Sequence, residues 1–303
     1  TLEWVDRMEA EGLEIYLQSV TFRGWAEFKI EESTLFNAVP VFEDFSRCHT
    51  TEERMARARN PEWRREARES YRYEYFISTG GGFEKYILGD TSGGATYSAF
   101  EGMKIGEIAA KTGAHVVDTF FDILVDTRMQ VDFVLSEAQS RDGNKIEQIL
   151  RHPRVIAGTS DGGAHVKMFV GGQYSTDLIN WMVKEDGRLT LEEMHEILSA
   201  RPARMFGLRD RGTLEAGKAA DIMIYDFDAI GFDRKYVVAH DLRGGDWRRT
   251  VPARGIDYVI VNGEVILDHG NPSGKYPAQY LTGGDVDARR ALPIAAGKTA
   301  HPG

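Results

Sequence analysis

A chain of 303 residues, 42% hydrophobic and 28% charged, is long enough to bury a large core and has the make-up of a globular protein. Its net charge of -10 argues against a nucleic-acid backbone as partner, and no run approaches the roughly 20 apolar residues that a membrane-spanning helix needs. The one cysteine, Cys48, leaves no internal disulfide to form and fits a reducing, cytoplasmic setting. Beside His49 it reads as a nucleophile or, more commonly, as an idle thiol.

Leu2, Val5 and Met8 recur at helical spacing, with Thr1 suited to cap the start and Gly12 the end. A chain that opens on a helix cap is expected to continue upstream. Leu13 to Val20 alternates well enough for a strand, and a helix handing over to a strand across one glycine is the step of a parallel α/β fold. Gln18, Ser19 and Arg23 fall at or just past that strand's carboxyl end, which makes them expected substrate contacts, although polar residues end most strands.

From about 22 to 103 the apolar residues, Phe28, Phe42 and Phe45 among them, are scattered without a period. Such a long insertion after a strand end covers a site or an interface. Within it, 50–71 reads as a polar helix or helix pair broken at Asn60-Pro61, while Gly80-Gly81-Gly82 and Gly93-Gly94 lack the strand-to-helix setting and the lysine of a phosphate loop. Amphipathic helices are predicted over 104–113 and 115–128, with His115 as a cap or a solvent group, and another over 144–150 that His152-Pro153 stops.

The stretch Arg154 to His165 follows. Val155-Ile156-Ala157 suits a buried strand, and the chain then breaks into small residues around one carboxylate, Asp161. Residues at the carboxyl ends of parallel barrel strands line the active site, whereas those inside the strands fill the core. Gly162 and Gly163 let the backbone turn steeply and approach a ligand, and His165 follows four residues after Asp161. The plainer alternative is that Asp161 caps the next helix. Downstream, a helix is predicted over 177–183 and another over 190–199 with a Thr190–Glu193 capping box; His195 on it reads as structural. Arg201 to Leu208 reads as a last short helix. At Gly212 the character changes to a β unit, with a hairpin over 258–267 turning at Asn262-Gly263, and beyond Tyr280 only an unpatterned tail is expected.

Three motifs, Gly158 to His165, Arg201 to Leu208 and Gly212 to Ile222, together resemble the amidohydrolase superfamily, most closely its D-aminoacylase (N-acyl-D-amino-acid deacylase) branch; Val259 to Val265 is similar to that family's closing hairpin. The resemblance implies an α/β protein: the carboxyl-terminal part of a (β/α)8 barrel with a small β-sandwich domain. On that reading residues 1–208 hold about strands 7 and 8 with the insertion at about 22–103, residues 209–280 are the β-sandwich, and 281–303 a tail.

It further implies that Asp161 ligates a zinc or another divalent metal and takes the proton of an attacking water. Gln18, Ser19, Arg23, Gly162, Gly163 and His165 would then surround the substrate. The family's His-x-His is absent, all eight histidines being single. Because even an open catalytic zinc site uses about three protein ligands, most ligands are expected outside this chain.

The expectation is therefore a metal-dependent amidohydrolase subunit acting on a small-molecule amide such as an N-acyl amino acid. Its site would be completed by a companion chain or by an N-terminal half, in a cytoplasmic oligomer without nucleic-acid or membrane partners. The alternatives are cleavage of a different bond, a cyclic amide or a carbon-carbon bond, or a non-catalytic scaffold.

Overall fold

The computed structural model describes residues 1–24, 26–30, 39–75, 81–94, 96–135, 142–158, 160, 165–168, 172–233 and 235–281. The first helix, α1 (Leu2–Ala10), buries Val5, and the chain leaves it through Gly12 at φ +80°. Thr1 stands at the cap position, but its side chain makes no capping hydrogen bond, so the start is held only by its carbonyl, which accepts from Trp4 and Val5. The strand predicted over 13–20 is confined to β1 (Leu17–Val20).

The segment after β1 folds around a core of its own. Its elements are β2 (Ala26–Phe28), α2 (Pro40–Ser46), α3 (Thr51–Arg59), α4 (Pro61–Ser70), β3 (Ile87–Leu88), α5 (Ile105–Thr112), α6 (Val116–Asp126) and β4 (Phe133–Leu135). The strands make one antiparallel sheet in the order β2-β4-β3, with Ala26 opposite Leu135 and Phe28 opposite Phe133. Phe28, Phe42, Phe45, Trp63, Phe83, Tyr86, Phe120, Phe121 and Phe133 are all buried in one cluster. Burying one such ring stabilises by about 1.5–3 kcal/mol.

The cluster runs from Phe22 to Leu135, so the helices at 105–112 and 116–126 pack into this module rather than beyond an insertion ending near 103. The break at Asn60-Pro61 is present: the Asn60 side chain accepts from the Glu62 and Trp63 amides and starts α4 with proline in its first turn. His115 caps α6 through its ring, which accepts from the Val117 amide.

The chain then returns through α7 (Gly143–Arg151) to β5 (Val155–Gly158), whose first three side chains are buried. Next comes α8 (Tyr174–Leu178), which continues as a π-helix over Ile179–Glu185. The Thr190 capping box opens α9 (Leu191–His195). A π-helical stretch, Glu196–Ala200, joins it without a break to α10 (Arg201–Met205), so the helix predicted over 201–208 is the end of a longer one. Leu178, Ile179, Trp181, Met182, Met194 and Ile197 pack with Ala157 in a second core.

The β unit contains β6 (Ile222–Tyr225), β7 (Gly231–Phe232), β8 (Val237–Ala239), β9 (Arg248–Thr250), β10 (Ala253–Arg254), β11 (Ile256–Val261), β12 (Glu264–Asp268) and β13 (Asn271–Pro272). Its main sheet runs β13-β12-β11-β6, and β7/β10 and β8/β9 form two small antiparallel ribbons. Asn262 and Gly263 sit at φ +48° and +82° between β11 and β12, the two positive values that a tight hairpin turn of this hand requires. His195 reaches across to this unit, its Nε2 2.6 Å from the Tyr225 hydroxyl.

Candidate functional site

The strands β1 and β5 lie side by side and parallel, with Leu17 opposite Val155, Gln18 opposite Ile156, Ser19 opposite Ala157 and Val20 opposite Gly158. Both therefore end at the same level, and the polar end of β1 stands beside the strand that leads to Asp161. Gly158 has φ +148°, and a Cβ placed there would stand 3.1 Å from the Gln18 amide nitrogen. Glycine is the residue that tolerates both the backbone and the closeness. Gly158→Ala is expected to cost about 1–3 kcal/mol and to displace Gln18; an unchanged urea midpoint would count against this.

Of the residues singled out by sequence, the structure brings Gln18 and Ser19 to this strand end, Gln18 exposed and Ser19 half-buried. Arg23 is engaged elsewhere. Its backbone N–H donates to Asp177 at 2.7 Å, its Nε and Nη2 donate to the other oxygen of that carboxylate at 3.0 and 2.8 Å, and Nη1 donates to Glu185 at 2.6 Å. The Asp177 side chain is 0% exposed, and the Arg23 guanidinium lies 5.1 Å over the Trp181 ring. Burial alone would lower the Arg23 pKa; the hydrogen bonds to Glu185 and Asp177 outweigh it and hold the charge above its usual value. With these donors committed, Arg23 fastens the end of β1 to the helix Tyr174–Glu185. Asp161, Gly162 and Gly163 lie outside the described residues, and His165 is exposed.

The segment after His165 is held from two sides. The Glu27 amide of β2 donates to the Met168 carbonyl at 2.9 Å, and the Arg249 amide of β9 donates to the Val166 carbonyl at 2.8 Å. Arg249 Nε donates to the Lys167 carbonyl at 2.7 Å, and Nη2 donates to Asp132 at 2.8 Å. The Tyr236 hydroxyl donates to the other Asp132 oxygen at 3.0 Å, and its ring lies 4.3 Å from the Arg249 guanidinium. Burial, with the Asp132 carboxylate close by, pushes the Tyr236 hydroxyl up to about 12, so it stays a donor across the physiological range. Lys167 pairs with Asp246 at 2.8 Å.

Sequence reasoning passed over Arg249, Asp132 and Tyr236. Asp132 is 104 positions from Tyr236 and 117 from Arg249, and Asp246-Trp247-Arg248-Arg249 reads locally as an ordinary polar strand.

Among the described residues no three histidine, cysteine, aspartate or glutamate side chains come together as a metal would need. The described part of the chain does not by itself supply a metal-ligand set. Nor does any helix among the described residues have the length and apolarity to cross a membrane.

The sequence profile of the amidohydrolase family matches residues 85–267. An N-acyl-D-glutamate deacylase of Alcaligenes xylosoxydans xylosoxydans is 33% identical over 144 residues, 46% of this chain and 27% of that protein. A dihydroorotase of Lactobacillus acidophilus is 52% identical over a short stretch of 46 residues, 15% of this chain and 11% of that one. Among solved structures, the N-acyl-D-glutamate deacylase of Bordetella bronchiseptica, complexed with zinc and a phosphonate inhibitor, aligns at TM-score 0.45 and 19% identity over 89% of this chain and 44% of that chain. The chain thus spans only about a quarter of the length of the first of these relatives. The deacylase likeness agrees with the resemblance to the D-aminoacylase branch carried by the three motifs. With a match over more than half of its length, the chain belongs to the amidohydrolase family.

Proposed function

We propose that this chain is the part of a metal-dependent amidohydrolase that brings Asp161 to the site, and that the assembled enzyme hydrolyses an N-acyl amino acid of the D-aminoacylase kind. The observation that carries the reading is the in-register parallel pair: Val20 stands opposite Gly158, so the end of β1 with Gln18 and Ser19 flanks the strand from which Asp161 follows three residues later. That is the arrangement in which strand-end residues share a reaction centre.

In the reaction water adds to the acyl carbon and the carbon-nitrogen bond breaks. The Asp161 carboxylate takes the proton of that water and returns it to the departing nitrogen, which then leaves as the amine. Gln18, Ser19, Gly162, Gly163 and His165 are the groups proposed to meet the substrate. The ligands of a zinc or other divalent metal are proposed to lie mostly outside these residues, on a companion chain or an N-terminal half, in a cytoplasmic oligomer. The described residues do not by themselves form the metal's ligand set.

The test is to combine the chain with its upstream part and assay N-acyl-D-glutamate beside other acylated D- and L-amino acids. Asp161→Ala is expected to lose hydrolysis about a hundredfold or more, the contribution of a positioned proton acceptor. Hydrolysis that survives in Asp161→Ala would sink the proposal. Dihydroorotase activity is the second reading, favoured by the 46-residue likeness, and dihydroorotate in the same panel separates the two.

A further inference from the structure

The β unit is joined to the chain only after the last helix, yet one of its ribbons reaches back to the segment that follows Asp161. Val166 and Lys167 each give a backbone carbonyl to Arg249, one to its amide and one to its guanidinium. A buried guanidinium is costly unless each of its faces is met. Arg249 is 4% exposed, and among the described residues its Nη1 has no hydrogen-bond partner, the Glu27 carboxylate standing 3.7 Å away. What the guanidinium does that an apolar residue would not is to fix two points at once: Asp132 of the module on one side, and the Lys167 carbonyl on the other. The planar fork of arginine fits this bridging role better than the single ammonium of lysine.

The described residues before and after Asp161 in the sequence are both held in place. On the near side Gly158 is paired with Val20 in the sheet, and on the far side Val166 to Met168 are pinned by β9 and β2. We propose that Arg249 is a positioning residue for the hydrolytic site. Through the carbonyls of Val166 and Lys167 it fixes the chain five residues beyond Asp161, and so makes the β unit and the inserted module part of the active assembly. The proposal rests on the reading of Asp161 given above.

The experiment uses the hydrolytically active protein, this chain with its upstream part. It compares Arg249→Met, Arg249→Lys, Tyr236→Phe and Asp161→Ala for kcat and KM separately, with amide hydrogen exchange at 166–168 followed in parallel. Arg249→Met is expected to lower kcat about tenfold or more with KM changed by less than about threefold, since a small misplacement of a reacting group costs turnover before affinity. Exchange at 166–168 is expected to quicken, while exchange in the aromatic core of the module stays unchanged. Arg249→Lys, which still offers a donor to the Lys167 carbonyl but not the fork, should recover part of kcat; a merely space-filling role would show no such rescue. If Arg249→Met does not fold, Tyr236→Phe carries the test, because it removes only the hydroxyl that steadies Asp132 and should lower kcat in the same direction. Unchanged kcat in these variants beside an inactive Asp161→Ala overturns the role of Arg249 and leaves the hydrolase reading standing. An active Asp161→Ala overturns both.

Discussion

Replacing Arg201 with methionine is expected to destabilise the protein by about 3–5 kcal/mol, the cost of removing one partner from a buried charged network. The Nη1 group of Arg201 alone donates to three backbone carbonyls, those of Leu150, His152 and Val155, at 2.8, 3.1 and 2.7 Å. Nε and Nη2 turn the other way, to Glu196 at 3.1 and 2.7 Å. Methionine keeps the unbranched apolar stem but is shorter and offers no donor. The carbonyls of Leu150 and Val155 would lose a buried donor, that of His152 would be left with the Val155 amide, and Glu196 would be left with Arg204. For a protein of this size the loss corresponds to a melting temperature lower by on the order of 10 °C. Arg201→Lys should fall between, because one ammonium cannot reproduce the fork. A melting point within about 2 °C of the parent would falsify the view that these bonds hold the root of β5.

Phe121→Ala is the second large effect, at about 3–5 kcal/mol for a buried aromatic emptied to a methyl. Phe121 is the hub of the module core: its ring centroid lies 4.8 Å from Trp63, 5.2 Å from Phe45 and from Phe120, and 6.0 Å from Phe42. Edge-to-face pairs of this kind contribute about 0.5–1.5 kcal/mol each beyond the area they bury. On its outer side the ring also carries the Arg64 guanidinium, 5.4 Å from the centroid. Emptying this position removes all of these contacts at once and leaves a cavity that three helices must close. Urea unfolding followed by tryptophan fluorescence reads the change through Trp63. A loss below about 1.5 kcal/mol would mean that the core collapses into the gap without penalty.

Local signals carried much of the fold. The Thr190–Glu193 box, the Asn262-Gly263 turn, the Asn60-Pro61 break and the glycine at 113, which ends α5 at φ +68°, each act within a few residues and were readable in the sequence. The module was not. Its strands are two or three residues long, and their partners come from far along the chain, as with Phe28 and Phe133, so no window contains the pattern that makes the sheet. The amphipathic faces of α5 and α6 were visible, but a face does not say which body it packs against.

The site divides in the same way. Gln18 and Ser19 follow from strand-end position alone, and β1 runs parallel to β5 with Ser19 opposite Ala157. The commitment of Arg23 to Asp177, 154 residues away, and of Arg249 to Asp132, 117 away, depends on tertiary contacts that composition and spacing do not encode.

The opposition of Ala26 and Leu135 at the open end of the module sheet bears on the order in which the chain folds. The strands β1 and β5 must find each other across roughly 140 residues of coil, and the entropy of closing a loop grows with the logarithm of its length. A module that folds first brings positions 26 and 135 together and leaves a tether of only about 25 residues, which lowers that closure cost by about 1.5 kcal/mol. Parallel pairing is slow when it must await distant segments. A module that collapses first therefore acts as a folding clamp: the strand pair becomes a nearly local event, whereas a chain whose module is late is left with two unpaired strand edges in search of each other.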